Sequence, residues 1–122
     1  ENIDPALLKT LEHLGNSTST ILHNSIDSYA RKSVDQALEV IQTDKKIDLE
    51  FKSCMKELIS YIVQLDDDKA VKNFLSISTC AKSIERIGDH AKNIAQHTIY
   101  LIKGKDIRHI SVEQVLSELN ED

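Results

Sequence analysis

The sequence predicts an all-α protein, an up-down-up antiparallel three-helix bundle with a short helical C-terminal tail. Three observations carry this prediction. Apolar residues recur at steps of three and four along most of the chain, which places them on one face of a helix. Only one Pro and three Gly occur in 122 residues, so helix breakers are rare in a background rich in Leu, Ile, Ala, Lys and Glu. No stretch shows the alternation of a half-buried strand, and the segments between helical runs are short, which forces consecutive helices to run antiparallel.

The first helix is expected over about residues 5–42. Asp4-Pro5 opens it: Asp caps free amides, and Pro suits the first helical position because its missing N–H had no partner there. Leu7, Leu11, Leu14, Ile21, Leu22, Ile26, Tyr29, Val34, Ala37, Leu38 and Ile41 then keep mostly helical spacing. The Gly15–Thr20 run is a weak helix former, so the reading is one long helix with a soft spot; two helices split at that run are the alternative. The second helix, about 44–65, carries Ile47, Phe51, Cys54, Leu58, Ile62 and Leu65 and stops at Asp66-Asp67-Asp68, where carboxylates suit a turn and the next cap.

The third helix, about 68–103, shows Phe74, Ile77, Ala81, Ile84, Gly88, Ala91, Ala95, Thr98 and Ile102 at alternating steps of three and four. Its small residues admit a close neighbour. Lys103-Gly104 ends it, with a cation at the negative end of the helix dipole and a glycine for the left-handed residue that follows. Ser111 to Gln114 resembles a capping box that opens a short, loosely attached last helix. The bundle is therefore expected over 1–110 and the tail helix over 111–122, as a single domain with one aliphatic core.

Composition excludes several function classes. A net charge of −5 and an aromatic content of 4 % disfavour nucleic acid, which calls for a basic face and stacking rings. No apolar run approaches the ~18 residues needed to cross a bilayer. Cys54 and Cys80 form no CxxC pair and are read as two buried, reduced thiols. The five histidines include no HExxH motif, and His90 and His97 project away from the core line. There is no Gly-rich phosphate loop, and no Glu-x-x-His pair of the diiron bundle type, so catalysis has no positive support.

The chemistry concentrates in carboxylates. In Ser83–His90, SIERIGDH, Glu85 and Asp89 lie four apart on one helix, where like charges repel by a few tenths of a kcal/mol. Asp44 and Asp48 of DKKID repeat the spacing on the preceding helix. If the connecting turn centres on Asp67, facing residues have numbers that add up to about 134, since both helices rise ~1.5 Å per residue. Asp44 is then level with His90, and Asp48 with Arg86. All four carboxylates fall on the flanks of the core line, bordering one groove, with Asp35 and Glu39 at the adjacent end of the first helix. Two readings are open: a solvated acidic edge offset by Lys52, Lys82 and Lys92, or a divalent-metal site, because hard and borderline cations favour several carboxylate oxygens.

CAKSIERIGDHAKNI and QTDKKIDLEF closely resemble signature segments of the PhoU family, bacterial accessory regulators of phosphate-specific transport. SIDSYARKSVDQALEVI and IYLIKGKDIRH extend the resemblance over about Leu22 to His109, most closely to the family's carboxy-terminal half. Such proteins usually carry two three-helix repeats, so the resemblance implies that this chain, which begins with Glu1 rather than Met, is one half of a longer protein. It further implies a metal site, mononuclear or multinuclear (iron, Mn, Mg or Zn), at Asp44, Asp48, Glu85 and Asp89, with Asn93 at another recurrent family position. Gln96 departs from the Glu of many members.

The resemblance also implies a role: a cytoplasmic, non-enzymatic regulator that represses the phosphate-starvation response and restrains uptake. It would link the phosphate ABC transporter to its sensor histidine kinase, be peripheral to the membrane through those partners, and form a homodimer at full length. The alternative within the same resemblance is a cytoplasmic regulatory domain of a sodium/phosphate cotransporter. A metal-dependent hydrolase and a metal-free helical interaction module are rivals from other classes.

Overall fold

The computed structural model describes residues 5–65, 68–104 and 112–120. It contains helices α1 (Pro5–Arg31), α2 (Val34–Leu65), α3 (Asp68–Lys103) and α4 (Val112–Asn120), and no strand among the described residues. Each of the three long helices packs against the other two, and α4 lies against α2. The core is aliphatic, with Leu14, Ile21, Val40, Leu58 and Ile99 fully enclosed and Ala81, Ala91 and Ala95 along the α3 seam.

The bundle is the expected one, but its first corner is elsewhere. The chain does not run as one helix to residue 42. It turns at Lys32-Ser33, and the segment expected to close the first helix instead opens α2, which continues through Thr43 without a break. The local chemistry explains the turn. Lys32 adopts a left-handed conformation, φ 54°. Its N–H donates to the Tyr29 carbonyl at 3.2 Å, and the Ser33 N–H donates to the Ser28 carbonyl at 2.9 Å, the paired bonds of a Schellman ending. Ser33 then caps α2: its Oγ accepts from the Gln36 N–H at 3.2 Å, the N-cap half of an S-x-x-Q capping box. A clamp crosses the corner, with Gln36 Nε2 donating to Asp27 Oδ2 at 2.9 Å and Arg31 Nε donating to Asp27 Oδ1 at 3.1 Å. The result is three helices of 27, 32 and 36 residues. They are about 40 to 54 Å long and well matched for side-by-side packing.

Within α1 the expected soft spot stays helical, because the buried stripe passes through it. Leu7, Leu11, Leu14, Thr18, Ile21, Ser25 and Ser28 are buried at alternating steps of four and three. Three of its seven residues, Thr18, Ser25 and Ser28, carry hydroxyls, and the Thr18 Oγ1 is buried without a hydrogen-bond partner among the described residues. Ser25 Oγ donates to the Leu22 carbonyl and Ser28 Oγ to the Ser25 carbonyl, both at 2.7 Å, so these buried groups are satisfied inside their own helix. Ile26 and Tyr29, read as core from their apolar character, are instead 53 % and 52 % exposed, and Tyr29 stacks on His97 with ring centroids 6.3 Å apart. Ile102 likewise leaves the seam, which passes through Ile99.

The end of α3 is as expected: Gly104 takes φ 72°, and its N–H donates to the Tyr100 carbonyl at 2.8 Å. Cys54 is buried, but Cys80 is exposed, because Ala81 occupies the seam and its neighbour points ~100° away. The short last helix is anchored more firmly than expected. Val115 is buried in the common core, and Lys45 Nζ meets Glu113 Oε1 at 2.8 Å. The Asp4 cap, the Asp66-Asp67 turn, the 105–110 connector with His109, and Ser111 lie outside the described residues.

Candidate functional site

Two helices bring the four predicted carboxylates together. Asp44 and Asp48 from α2 and Glu85 and Asp89 from α3 line one cleft, with Leu14, Ile47, Phe51, Ile84 and Gly88 as its other walls. The helical period does this: spacing four repeats a direction after about one turn, so each pair points to the same side of its helix. The expected height was close. Asp44 lies beside Gly88, two residues before His90, with Oδ1 only 3.1 Å from where a side chain on Gly88 would begin.

The cleft is small, about 10 Å³, roughly the room of one water-sized species. Its carboxylates differ in environment. Asp44 is 9 % exposed, and burial pushes its carboxyl up to about 6; Asp89, Asp48 and Glu85 add to the shift, and the Lys92 ammonium opposes it. Glu85 is half-buried and also raised, first by desolvation and then by Asp89 and Asp48, against Lys52 and Lys82. Asp48 is turned toward Lys52 Nζ at 3.2 Å on the helix surface, and Asp89 is exposed.

The donor set, four carboxylates and no sulfur or imidazole, suits a hard cation. Among the described residues, however, no three His, Cys, Asp or Glu groups already stand as a coordination shell. To hold a cation, the more exposed Asp48, Glu85 and Asp89 would have to close on the buried Asp44 by side-chain rotation, with Asp48 leaving Lys52.

Other predicted residues stay apart. Asn93 is exposed one turn beyond Asp89 and does not line the cleft. Asp35 falls in the first turn of α2, and Glu39 borders a separate groove with Ser17, Thr20, Asn24 and Thr43. Both are displaced because the first corner comes earlier than expected. Gln96 is buried away from the cleft lining, so its neutrality spares the interior a charge rather than altering the rim. Sequence reading missed Gly88 as a cleft wall; a glycine set between Glu85 and Asp89, in mid-helix and away from any turn, was the available signal.

The family model described as the PhoU domain matches residues 11–98, which contain all four carboxylates. This chain belongs to the PhoU family. It is 38 % identical over 109 residues to the phosphate-specific transport system accessory protein PhoU homolog of Pseudomonas aeruginosa, covering 89 % of this chain and 44 % of that protein. The accessory protein PhoU of Escherichia coli is 37 % identical over 109 residues, with the same two coverages of 89 % and 44 %. The PhoU homolog of Clostridium acetobutylicum is 31 % identical over 101 residues, or 83 % of this chain and 45 % of that protein. The chain thus spans less than half the length of these curated relatives. No solved structure matches.

Proposed function

We propose that this chain is one repeat, the carboxy-terminal one, of a metal-binding regulator of phosphate transport. The full protein represses the phosphate-starvation response and restrains uptake by linking the phosphate ABC transporter to its sensor histidine kinase. It acts in the cytoplasm, without catalysis of its own, as a homodimer at full length. The observation that carries the metal-binding part is the cleft, where carboxylate pairs from two neighbouring helices meet around the buried Asp44. The relatives are accessory proteins of phosphate-specific transport, which supports the transport context and favours it over a cotransporter domain.

Asp44, Asp48, Glu85 and Asp89 would hold the cation. All-oxygen donors favour Mg²⁺, Mn²⁺ or iron over Zn²⁺, which prefers nitrogen and sulfur ligands. The bound cation would supply charge neutralisation, relieving the repulsion within each pair and tying α2 to α3. The tied helices then form a stiffer surface for a partner.

Calorimetric titration of Mn²⁺ and Mg²⁺ into wild type and a Glu85→Ala, Asp89→Ala double variant tests the site. Saturable heat is expected from wild type and is expected to vanish in the variant; equal heats from both would remove the assignment. Co-purification of the full-length protein with the transporter ATPase and the histidine kinase, with Mn²⁺ or with chelator, tests the linking role. Failure to retain either partner in both conditions would overturn it.

A further inference from the structure

A glycine deep inside a long helix calls for a reason, because glycine is a poor helix former. Gly88 has no backbone reason: it lies within α3, it is buried, and its φ is not positive. Its reason is lateral. A methyl group at this position would stand 3.1 Å from Asp44 Oδ1 and 3.8 Å from Thr18 Cγ2. The second distance is ordinary van der Waals contact. The first is tighter than nine in ten real contacts of that kind, so the carboxylate oxygen would have to give way by a few tenths of an ångström. Asp44 is itself buried, so its carboxylate has little free space to retreat into except along the cleft, toward the other carboxylates.

We propose that Gly88 is the positioning residue of the cleft: the missing side chain on α3 is the space in which the Asp44 carboxylate of α2 is seated. Alanine at 88 improves the helix and misplaces the anion, either by pushing it outward or by parting α2 from α3. The consequence for cation affinity rests on the metal-binding reading above. The positioning itself does not.

A thermodynamic cycle separates the two. Gly88→Ala, Asp44→Ala and the double variant are compared by urea unfolding of the full chain in EDTA. Gly88→Ala is expected to raise the urea midpoint in the Asp44→Ala background, where the helix gain is unopposed, and to lower it or leave it unchanged in wild type. An equal rise in both backgrounds overturns the proposal. If Gly88→Ala alone fails to fold, recovery of folding by Asp44→Ala supports the proposal, and a double variant that also fails overturns it. Thr18→Ser trims the other neighbour and serves as the control: no relief is expected, and relief equal to that from Asp44→Ala would indicate general crowding and overturn the role.

Mn²⁺ titration supplies the second readout. Gly88→Ala is expected to weaken binding tenfold or more while the chain stays folded, and unchanged affinity overturns the consequence for the cation. If wild type itself takes up no Mn²⁺, the metal reading fails while the cycle still decides the positioning.

Discussion

Asp27 and Asp44 are the same side chain in two opposite situations. Asp27, at the corner between α1 and α2, is held by hydrogen bonds from Gln36 and Arg31, and its carboxyl lies below the usual range, first because of the Gln36 bond. Asp44, in the cleft, is buried against apolar walls among three other carboxylates, and desolvation lifts it to about 6. The corner carboxylate has its partners inside the chain, so folding favours its charge. The cleft carboxylate has too few, so folding opposes its charge. A group that the fold destabilises in its ionised form is one whose stabilisation can come from a ligand, which is the physical difference between a structural aspartate and a candidate binding one.

The largest effect is expected from Asp44→Asn. Because the folded value is raised, the stability contributed by Asp44 is fully present below its unfolded pKa near 3.8 and is lost as pH rises through about 6. The amide should therefore stabilise the chain at pH 8, by on the order of 2–3 kcal/mol, and leave it nearly unchanged at pH 4. Urea unfolding at the two pH values measures this, and a gain of equal size at both would erase the contrast with Asp27.

Cation addition comes next. Mn²⁺ at ten times its Kd should stabilise wild type by about 1.4 kcal/mol, reversed by chelator, because a ligand that binds only the folded state adds RT ln(1 + [L]/Kd). Thermal melts of Asp44→Asn should show little of that gain. Lys92→Ala should act in the opposite direction to Asp44→Asn. Loss of the cation that favours ionised Asp44 should cost roughly 0.5–1 kcal/mol at pH 8 and almost nothing at pH 4.

Asp27→Asn should have the smallest effect, and of opposite sign to Asp44→Asn. Its folded value is depressed, so its contribution is present above the unfolded pKa and disappears as pH falls through the folded one. A slight drop in urea midpoint at pH 7, absent in strong acid, is the expected result; a rise would show that the corner clamp does not favour the charge.

The helix class, the α3 seam and the four carboxylates were legible in the sequence because each is a periodic signal. Periodicity fails where the fold uses unlike residues for like positions. The α1 stripe continues through Thr18, Ser25 and Ser28, which a count of apolar residues skips, and that count promoted the neighbouring Ile26 and Tyr29 instead. The first corner was hidden because its left-handed residue is Lys32 rather than a glycine, although Ser33 and Gln36 already spelled a cap. Helix rise placed the two acidic pairs at nearly the right height. It could not show that Asp48 turns outward to Lys52 while Asp44 turns inward beside Gly88, because side-chain direction follows from packing across helices.

The size and sign of the cleft have one more consequence. A space of about 10 Å³ ringed by four carboxylates repels anions as long as no cation is bound. Until a cation neutralises it, the cleft therefore turns anions away from this face of the domain, and a bound cation would reverse that preference.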